Sequence, residues 1–485
     1  ERERERESYV LLPQVGENVV WENNFSVPMD STGPPDCSSR DVSGIKWVSP
    51  RHEGKLSGIS ESFDDDGLPV SMENVYAASK RIEKSVVRTP CIRSKHISKI
   101  ADMNVYLKCE YKQSTGSFKE RGSMNAILRL PAAKRKAGII AASAGNHALS
   151  LAYGGSRLSI PVTVVMPTMA PLTKKKLCAE LGAEVIVHGD DFDIATAFAK
   201  KLAVERGMTY IHGFNDAAVI AGQGSAGVEI LSDVPDLDAV LVPVGGGGLI
   251  AGIAMAIKNE NPNVEVIGIE PVNFASCTAA LQKGEVVETE MVGPTIADGL
   301  AVRRVGDNCF PIIQRYVDRM VVMDERWTAL SVLRMMELEK TIVEGAGAIA
   351  LGPLLAGILP EYKGKNVVLL ICGANIDLPV LGRVIDYGLV ADGRLSRVGA
   401  TISDRPGGLA KLCALFADVG ASIKEVQHLR TFTSAVTAFS ETFVEIVVET
   451  RDHQHKQELK EYLVKNNVKI DFRTFKFYDQ DAAIF

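Results

Sequence analysis

A wound α/β body followed by a small unit of alternating strands and helices is the fold this sequence predicts, on three observations. Short, nearly continuous apolar runs recur between helical stretches from Ser71 to about residue 390. Such runs fit parallel strands buried on both faces, with helices as crossovers. Near Asp392 the order changes to βαββαβ, a split unit long enough to fold by itself. Before Ser71 no periodicity is sustained. With 485 residues, and roughly 100–200 residues per domain, the chain divides into a leader (1–70), a body of two α/β subdomains (71–390) and a C-terminal domain (391–485).

The leader opens on Glu1-Arg2-Glu3-Arg4-Glu5-Arg6-Glu7 and continues rich in Ser, Gly, Pro and Asp. It is expected to be disordered, with short apolar patches at Val10–Leu12 and Val19–Trp21. It has neither the apolar core of a secretory signal nor the acid-poor composition of a transit peptide. In the body, Ser71 caps a helix whose apolar positions are Val75, Ala78 and Ile82. Strands are expected at Val105–Leu107, Gly138–Ile140, Pro161–Val165, Glu184–Val187, Ala239–Val242, Val264–Ile267 and Val367–Ile371. Helices are expected at Leu172–Leu181, Phe192–Arg206 and Trp327–Lys340. The C-terminal domain reads as strand Arg394–Thr401, helix Pro406–Val419, strands Ser422–Leu429 and Thr442–Glu449, helix His453–Lys465 and strand Lys469–Phe475, a ferredoxin-like order.

Composition excludes several classes. The 54 Lys and Arg against 60 Asp and Glu give a net charge of −6, so no global attraction to nucleic acid or anionic membrane is expected. No apolar run approaches the roughly 20 residues that cross a bilayer. The eight cysteines contain no C-x-x-C pair. That argues against a disulfide framework or zinc ribbon and for a reducing, cytoplasmic setting.

Three turns carry the chemistry. In Ser114-Thr115-Gly116-Ser117-Phe118-Lys119-Glu120-Arg121-Gly122, a lysine follows an aromatic residue at a helix start. Burial lowers the pKa of such a lysine, which imine chemistry requires; the plainer reading is a surface lysine. Ser143-Ala144-Gly145-Asn146-His147 joins a strand to a helix. It offers free N–H donors and the Ser143 hydroxyl to a carboxylate, and Asn146 to a ring hydroxyl. His147 is read as packed rather than catalytic. In Val244-Gly245-Gly246-Gly247-Gly248-Leu249 the four glycines serve little packing purpose, and their value is close main-chain approach to a phosphate. Gly246, Gly248 and Ala251, with Glu270 about 20 residues on, also fit the looser dinucleotide spacing. A dinucleotide leaves the Lys119 and Asn146 turns without a task. A lysine, a carboxylate cradle and a phosphate cradle together suit an aldehyde-bearing phosphate cofactor acting on an amino acid, which is the description of pyridoxal 5′-phosphate.

The segments Ser117–Gly122, Ser143–His147, Pro243–Gly248 and Thr295-Ile296-Ala297-Asp298-Gly299 resemble the fold-type-II, tryptophan-synthase-β-like pyridoxal phosphate enzymes. Within them the chain is most similar to the threonine dehydratases, with serine dehydratases and serine racemases close by. The likeness spans Ser71 to Leu389. The C-terminal segments Asp404–Leu409 and Gly420–Ile423 resemble an ACT-like domain, a type that binds small effectors. The resemblance implies an ammonia-lyase that converts L-threonine to 2-oxobutanoate and ammonia, and L-serine to pyruvate and ammonia. It implies that Lys119 holds the cofactor and removes the α-proton, and that Phe118 lies against the cofactor. Asn146 would bond the ring hydroxyl, and Gly245, Gly246, Gly247 and Gly248 the phosphate. Ser143 would take the substrate carboxylate and Cys372 would face the ring nitrogen. A homodimer or homotetramer is expected.

Two departures bear on the reaction. Ala144 stands where serine racemases carry a serine acid/base, which disfavours racemisation and leaves one-sided elimination intact. Cys372 stands where many relatives have serine; both are neutral partners. Glu270-Pro271 matches one acid of a divalent-metal site found in some relatives, but the second acid is replaced near Ser276, so no metal is assigned. Glu344 is either a carboxylate near the cofactor or a helix-start carboxylate. A racemase and a catalytically vestigial amino-acid sensor are the rival readings.

Overall fold

The computed structural model describes residues 46–48, 67–290, 292–429 and 440–473. Apolar runs that are buried on both faces become the inner strands of two sheets, as their composition requires. The smaller sheet is fully parallel, in the spatial order Glu184–Val187, Val162–Met166, Ile139–Ala142 and Thr209–Tyr210. Every residue of Ile139–Ala142 and Val162–Met166 is buried. Helices Asn146–Leu158, Leu172–Glu180 and Phe192–Arg206 connect its strands.

The larger sheet runs Lys46–Val48, Arg319–Met323, Glu265–Pro271, Ala239–Pro243, Asn366–Ile371, Asn104–Cys109 and Cys91–Arg93. Its five inner strands are parallel and its two edge strands antiparallel. Helix Gly248–Glu260 reads Gly-Leu-Ile-Ala-Gly-Ile-Ala-Met-Ala-Ile before its first charge, and all ten of those residues are buried. A helix apolar on every face must be enclosed. It crosses helix Ala217–Asp233 closely enough that a Cβ on Gly252 would lie 2.4 Å from the Ile220 carbonyl. Burying each Ile or Leu of this core contributes about 1.5–3 kcal/mol.

Helix Met72–Ile82 begins at Ser71 in a capping box with Asn74 and buries Val75, Ala78 and Ile82, as its pattern predicts. The expected leader departs from expectation where it is described. Lys46–Val48 is an edge strand antiparallel to Arg319–Met323, and Leu68 and Val70 are buried. A three-residue strand shows no period, and its partner lies far along the chain, so local sequence does not signal it. The rest of that segment, including Val10–Leu12 and Val19–Trp21, lies outside the described residues.

Helix Leu378–Ala391 leads to the C-terminal unit. Its sheet is antiparallel, in the order Ser422–Leu429, Glu441–Glu449, Leu395–Ser403 and Lys469–Arg473. Along Glu441–Glu449 burial alternates with period two, and Val444, Ile446 and Val448 face helices Gly408–Val419 and His453–Lys465. Leu412, Phe416, Leu459 and Leu463 close that small core. The element order is the predicted βαββαβ. Among the described residues, no helix is long and apolar enough to cross a membrane.

Candidate active site

The lysine turn is stitched to the end of strand Asn366–Ile371. Phe118 N–H donates to the Cys372 carbonyl at 3.0 Å, Ala374 N–H donates to the Gly116 carbonyl at 2.9 Å, and Ser117 bridges Gly373. Gly116 sits at φ +74°, and a Cβ there would lie 2.7 Å from Asn375 Oδ1, so both its conformation and its neighbour require glycine. Lys119 opens helix Lys119–Arg129 and is half-buried. Its Nζ donates to the Gly213 carbonyl at 2.7 Å and lies 5.1 Å from the centre of the Phe118 ring. Desolvation pulls its pKa down to about 8, so about a tenth of the side chain is free amine at pH 7, against far less for an exposed lysine.

The helix behind Lys119 is anchored by a buried ion network that the sequence reading passed over. Arg121 Nε donates to Glu110 at 2.7 Å and Nη1 to Glu229 at 2.7 Å, while Lys108 meets Glu229 at 2.6 Å. Arg121, Glu110 and Lys108 are fully buried. Removing one member of such a network leaves an uncompensated charge in the interior. The available signal was an arginine two residues beyond the lysine.

Helix Asn146–Leu158 starts directly after Ser143-Ala144-Gly145, so its first N–H groups have no partner within the helix. Ser143 Oγ accepts from Gly145 N–H at 3.3 Å. A Cβ on Gly145 would meet nothing within 4 Å, which leaves room beside the hydroxyl and the helix start. The Asn146 amide is oriented by its partners: Nδ2 donates to Glu344 Oε1 at 2.8 Å, and Oδ1 accepts from Asn375 Nδ2 at 2.9 Å. His147 is buried, with Nε2 3.0 Å from the Ile211 carbonyl and Nδ1 3.3 Å from Ser123 Oγ. Burial pushes it down to about 3, so it is neutral and packed, as read from the sequence.

The glycine turn corrects one expectation. Gly245, Gly246, Gly247 and Gly248 follow strand Ala239–Pro243, and all four are buried. They do serve packing. A Cβ on Gly246 would lie 2.4 Å from atoms of the Phe214 ring, and one on Gly248 would lie 2.8 Å from the Phe214 carbonyl. Gly247 adopts φ +89°, where an added Cβ would lie 2.8 Å from Ile313, and a Cβ on Gly245 would lie 3.1 Å from Leu300. Phe214 comes from a remote loop that the sequence reading did not include, which is why the packing role was hidden. His212 Nδ1 accepts from the N–H groups of Phe214 (3.3 Å) and Asn215 (3.0 Å), and Asp216 caps the helix that follows. Both bonds need an unprotonated Nδ1, consistent with burial driving His212 down to about 4.

The phosphate reading is untouched by that packing. Among the described residues, none of the N–H groups of Gly245, Gly246, Gly247 and Gly248 reaches a protein acceptor. Buried N–H groups are rarely left unpaired, so the turn fits an anion that the protein does not itself supply. The amine and this turn share one wall: Lys119 donates to Gly213, and the adjacent Phe214 packs on Gly246 and Gly248. Cys372 is buried, its thiol donates to the Ala346 carbonyl at 3.2 Å, and burial holds it well above the usual thiol range. An amine of lowered pKa, a set of unpaired N–H groups and an oriented amide fit pyridoxal phosphate.

Comparison with known proteins agrees with this geometry. The family described as pyridoxal-phosphate dependent enzyme matches residues 82–373. The chain belongs to that family. An L-threonine ammonia-lyase of Thermotoga maritima is 40% identical over 401 residues, 83% of this chain and 99% of the relative. An L-threonine ammonia-lyase of Geobacter sulfurreducens is 41% identical over 396 residues, 82% of this chain and 97% of the relative. Among solved structures, the processed form of threonine deaminase isoform 2 from Solanum lycopersicum aligns with TM-score 0.65 and 34% identity, covering 70% of this chain and 97% of that one. Serine racemase from Dictyostelium discoideum aligns with TM-score 0.60 and 34% identity, covering 64% of this chain and 100% of that one.

Two carboxylates of this pyridoxal-phosphate dependent enzyme separate once their partners are seen. Glu344 precedes helix Gly345–Ala348, but its side chain makes no cap; it holds Asn146. Burial raises it to about 7. Glu270 is buried among donors at the start of helix Ser276–Lys283. It accepts from Cys277 N–H (2.8 Å), Thr278 N–H (2.9 Å) and Thr278 Oγ1 (2.7 Å). Its oxygens are therefore committed to a local turn rather than directed at a ribose or a cation. Among the described residues no cluster of three or more His, Cys, Asp or Glu side chains is arranged to hold a metal.

Proposed function

We propose that this chain is a pyridoxal-phosphate-dependent ammonia-lyase that converts L-threonine to 2-oxobutanoate and ammonia, and L-serine to pyruvate and ammonia. The observation that carries the reading is the shared wall between the lowered Lys119 amine and the four unpaired glycine N–H groups. The names and extensive coverage of the ammonia-lyase relatives support the substrate.

Lys119 is the residue that would hold the cofactor and, once released, accept the α-proton of the substrate. At about 8 its pKa suits both capture and return of a proton near neutrality. Gly245, Gly246, Gly247 and Gly248 would hold the phosphate through main-chain N–H groups, and Asn146 would face the ring hydroxyl. Phe118 and Cys372 would line the ring. Ser143 and the helix start at Asn146 would orient the substrate carboxylate. When bound, pyridoxal phosphate supplies an aldehyde for the substrate amine and a ring that accepts the electron pair left at Cα. The β-hydroxyl leaves as water, and water returned on hydrolysis releases ammonia and the 2-oxo acid. Ala144 offers no proton from the second face, which favours elimination over racemisation.

We assign residues 71–390 to catalysis and 391–485 to an ACT-like regulatory domain that takes a small effector. The βαββαβ order and antiparallel sheet support that assignment. The seven described cysteines are free thiols, in keeping with a cytoplasmic setting, and a homodimer or homotetramer is proposed. The test is release of 2-oxo acid from L-threonine, L-serine and their D-forms. Keto-acid from the L-forms alone, lost by at least about a thousandfold in Lys119→Ala, is expected. Interconversion of enantiomers without keto-acid overturns the lyase in favour of a racemase. Amino-acid binding by a colourless, inactive protein favours the sensor.

A further inference from the structure

Helix Leu172–Glu180 belongs to the half of the body built on the smaller sheet, yet its first turn is tied across to the other half. Thr173 Oγ1 donates to Asp377 Oδ1 at 2.7 Å, and Lys174 Nζ donates to the main-chain carbonyl of Asn375. Both acceptors lie in the loop after strand Asn366–Ile371, the loop that also receives the lysine turn. Asn375 is the hub. Its Nδ2 donates to the Thr115 carbonyl at 2.7 Å and to Asn146 Oδ1 at 2.9 Å, and Gly116 leaves it the space to do so. Asn146 in turn directs its own Nδ2 at Glu344. One chain of bonds thus runs from Lys174 through Asn375 to the amide that faces the cofactor site.

We propose that Thr173 and Lys174 form a clasp between the two halves of the body, and that Lys174 is a positioning residue acting through Asn375 on Asn146. This rests on the assignment of Asn146 and the lysine turn to the active site. On that assignment the substrate amino acid would sit between the Ser143–Asn146 turn of one half and the Gly373–Asn375 loop of the other, with the clasp beside it. Lys174 carries the larger share. Both bonds are charge-assisted, but the Lys174 bond is partly buried whereas the Thr173 bond to the Asp377 carboxylate is exposed to solvent. Burial raises the carboxyls of Glu344 and Asp298 nearby, and the Lys174 charge offsets part of that rise.

The experiment is hydrogen–deuterium exchange, read by mass spectrometry, on the full chain loaded with pyridoxal phosphate. It is run on the wild type, Lys174→Met, Lys174→Arg and Thr173→Val, beside kinetics with L-threonine. Lys174→Met is expected to raise exchange about tenfold or more in segments 172–180 and 372–378, Thr173→Val less, and Lys174→Arg little. Strand Ala239–Pro243 keeps its protection in every variant. KM for L-threonine rises about tenfold in Lys174→Met, while kcat changes by less than about threefold. Unchanged exchange in both segments overturns the clasp, and so does a rise that spreads into Ala239–Pro243. A wild-type KM in Lys174→Met overturns the positioning role. Should the wild type release no keto-acid from L-threonine, the proposed function fails, and the exchange measurement alone decides the clasp.

Discussion

Two strand-to-helix turns, both assigned to the proposed site, have opposite design. In the Gly245–Gly248 turn every added Cβ would strike a neighbour, most severely the Phe214 ring at 2.4 Å from Gly246. In the Ser143–Gly145 turn a Cβ on Gly145 would meet nothing within 4 Å. The first turn is closed on its protein side and presents buried N–H groups with no acceptor among the described residues, which suits a group that stays bound. The second is partly open, with a hydroxyl and a helix start beside empty space, which suits a ligand that enters and leaves at each turnover. Small residues therefore mean two different things a hundred residues apart, and only their surroundings tell which.

The comparison breaks most readily at Gly246. Gly246→Ala must displace the Phe214 ring, and that loop carries the Gly213 carbonyl on which Lys119 rests. Overpacking of this kind costs about 1–3 kcal/mol. A misplaced amine of about 1 Å costs roughly a hundredfold in rate. Both losses are expected together, measured by denaturant unfolding and by keto-acid release, with weakened retention of pyridoxal phosphate seen in its visible absorbance. A variant with wild-type stability and rate would show that the turn is not closed by Phe214.

This contrast also marks where the sequence was legible. Strand Glu184–Val187 and helices Phe192–Arg206 and His453–Lys465 have the bounds read from pattern alone, because their caps and periods are local. Strands Cys91–Arg93 and Thr209–Tyr210 were missed, being too short to show a period. Arg319–Met323 was missed although its Met-Val-Val-Met run is apolar. Lys119, Ser143, Asn146 and the glycines could be singled out as candidates because their motifs are contiguous. The partners that define their roles were not. Phe214, Arg121 with Glu229, and Lys174 with Asn375 meet the motifs only through the fold.

The open turn is nonetheless held from behind, by Glu344 on the Asn146 amide. Its carboxyl is raised from 4.5 to about 7, with burial the largest cause. An acid raised in the folded state binds more protons folded than unfolded between those values. Its stabilising contribution is therefore complete below about pH 4.5 and lost as pH climbs through about 7. Glu344→Gln should remove that share of the slope, on the order of 2–3 kcal/mol, in urea unfolding compared at the two ends of the window. Glu270 and Glu325, likewise raised to about 7 by burial, contribute slope of the same sign in both proteins. His147 and His212, lowered by burial, contribute slope of the opposite sign, so the difference between wild type and variant isolates Glu344. An identical slope in wild type and variant would mean that Glu344 is not held in its neutral form.

The smallest effect is expected at Gly145, and it sharpens the comparison most. The residue has φ −130°, outside the left-handed region, and an added methyl would meet no described protein atom within 4 Å. Gly145→Ala should leave unfolding within about 0.5 kcal/mol of the wild type, as for substitutions away from packed features. The methyl does enter the space beside Ser143 and the start of helix Asn146–Leu158, where the proposed function would seat the substrate carboxylate. One methyl in a substrate pocket is worth about 1–3 kcal/mol, so KM for L-threonine should rise about tenfold while kcat falls less. Unfolding and KM both at wild-type values would show that the open space beside Gly145 is solvent and not the substrate's, and the two turns would then differ only in packing.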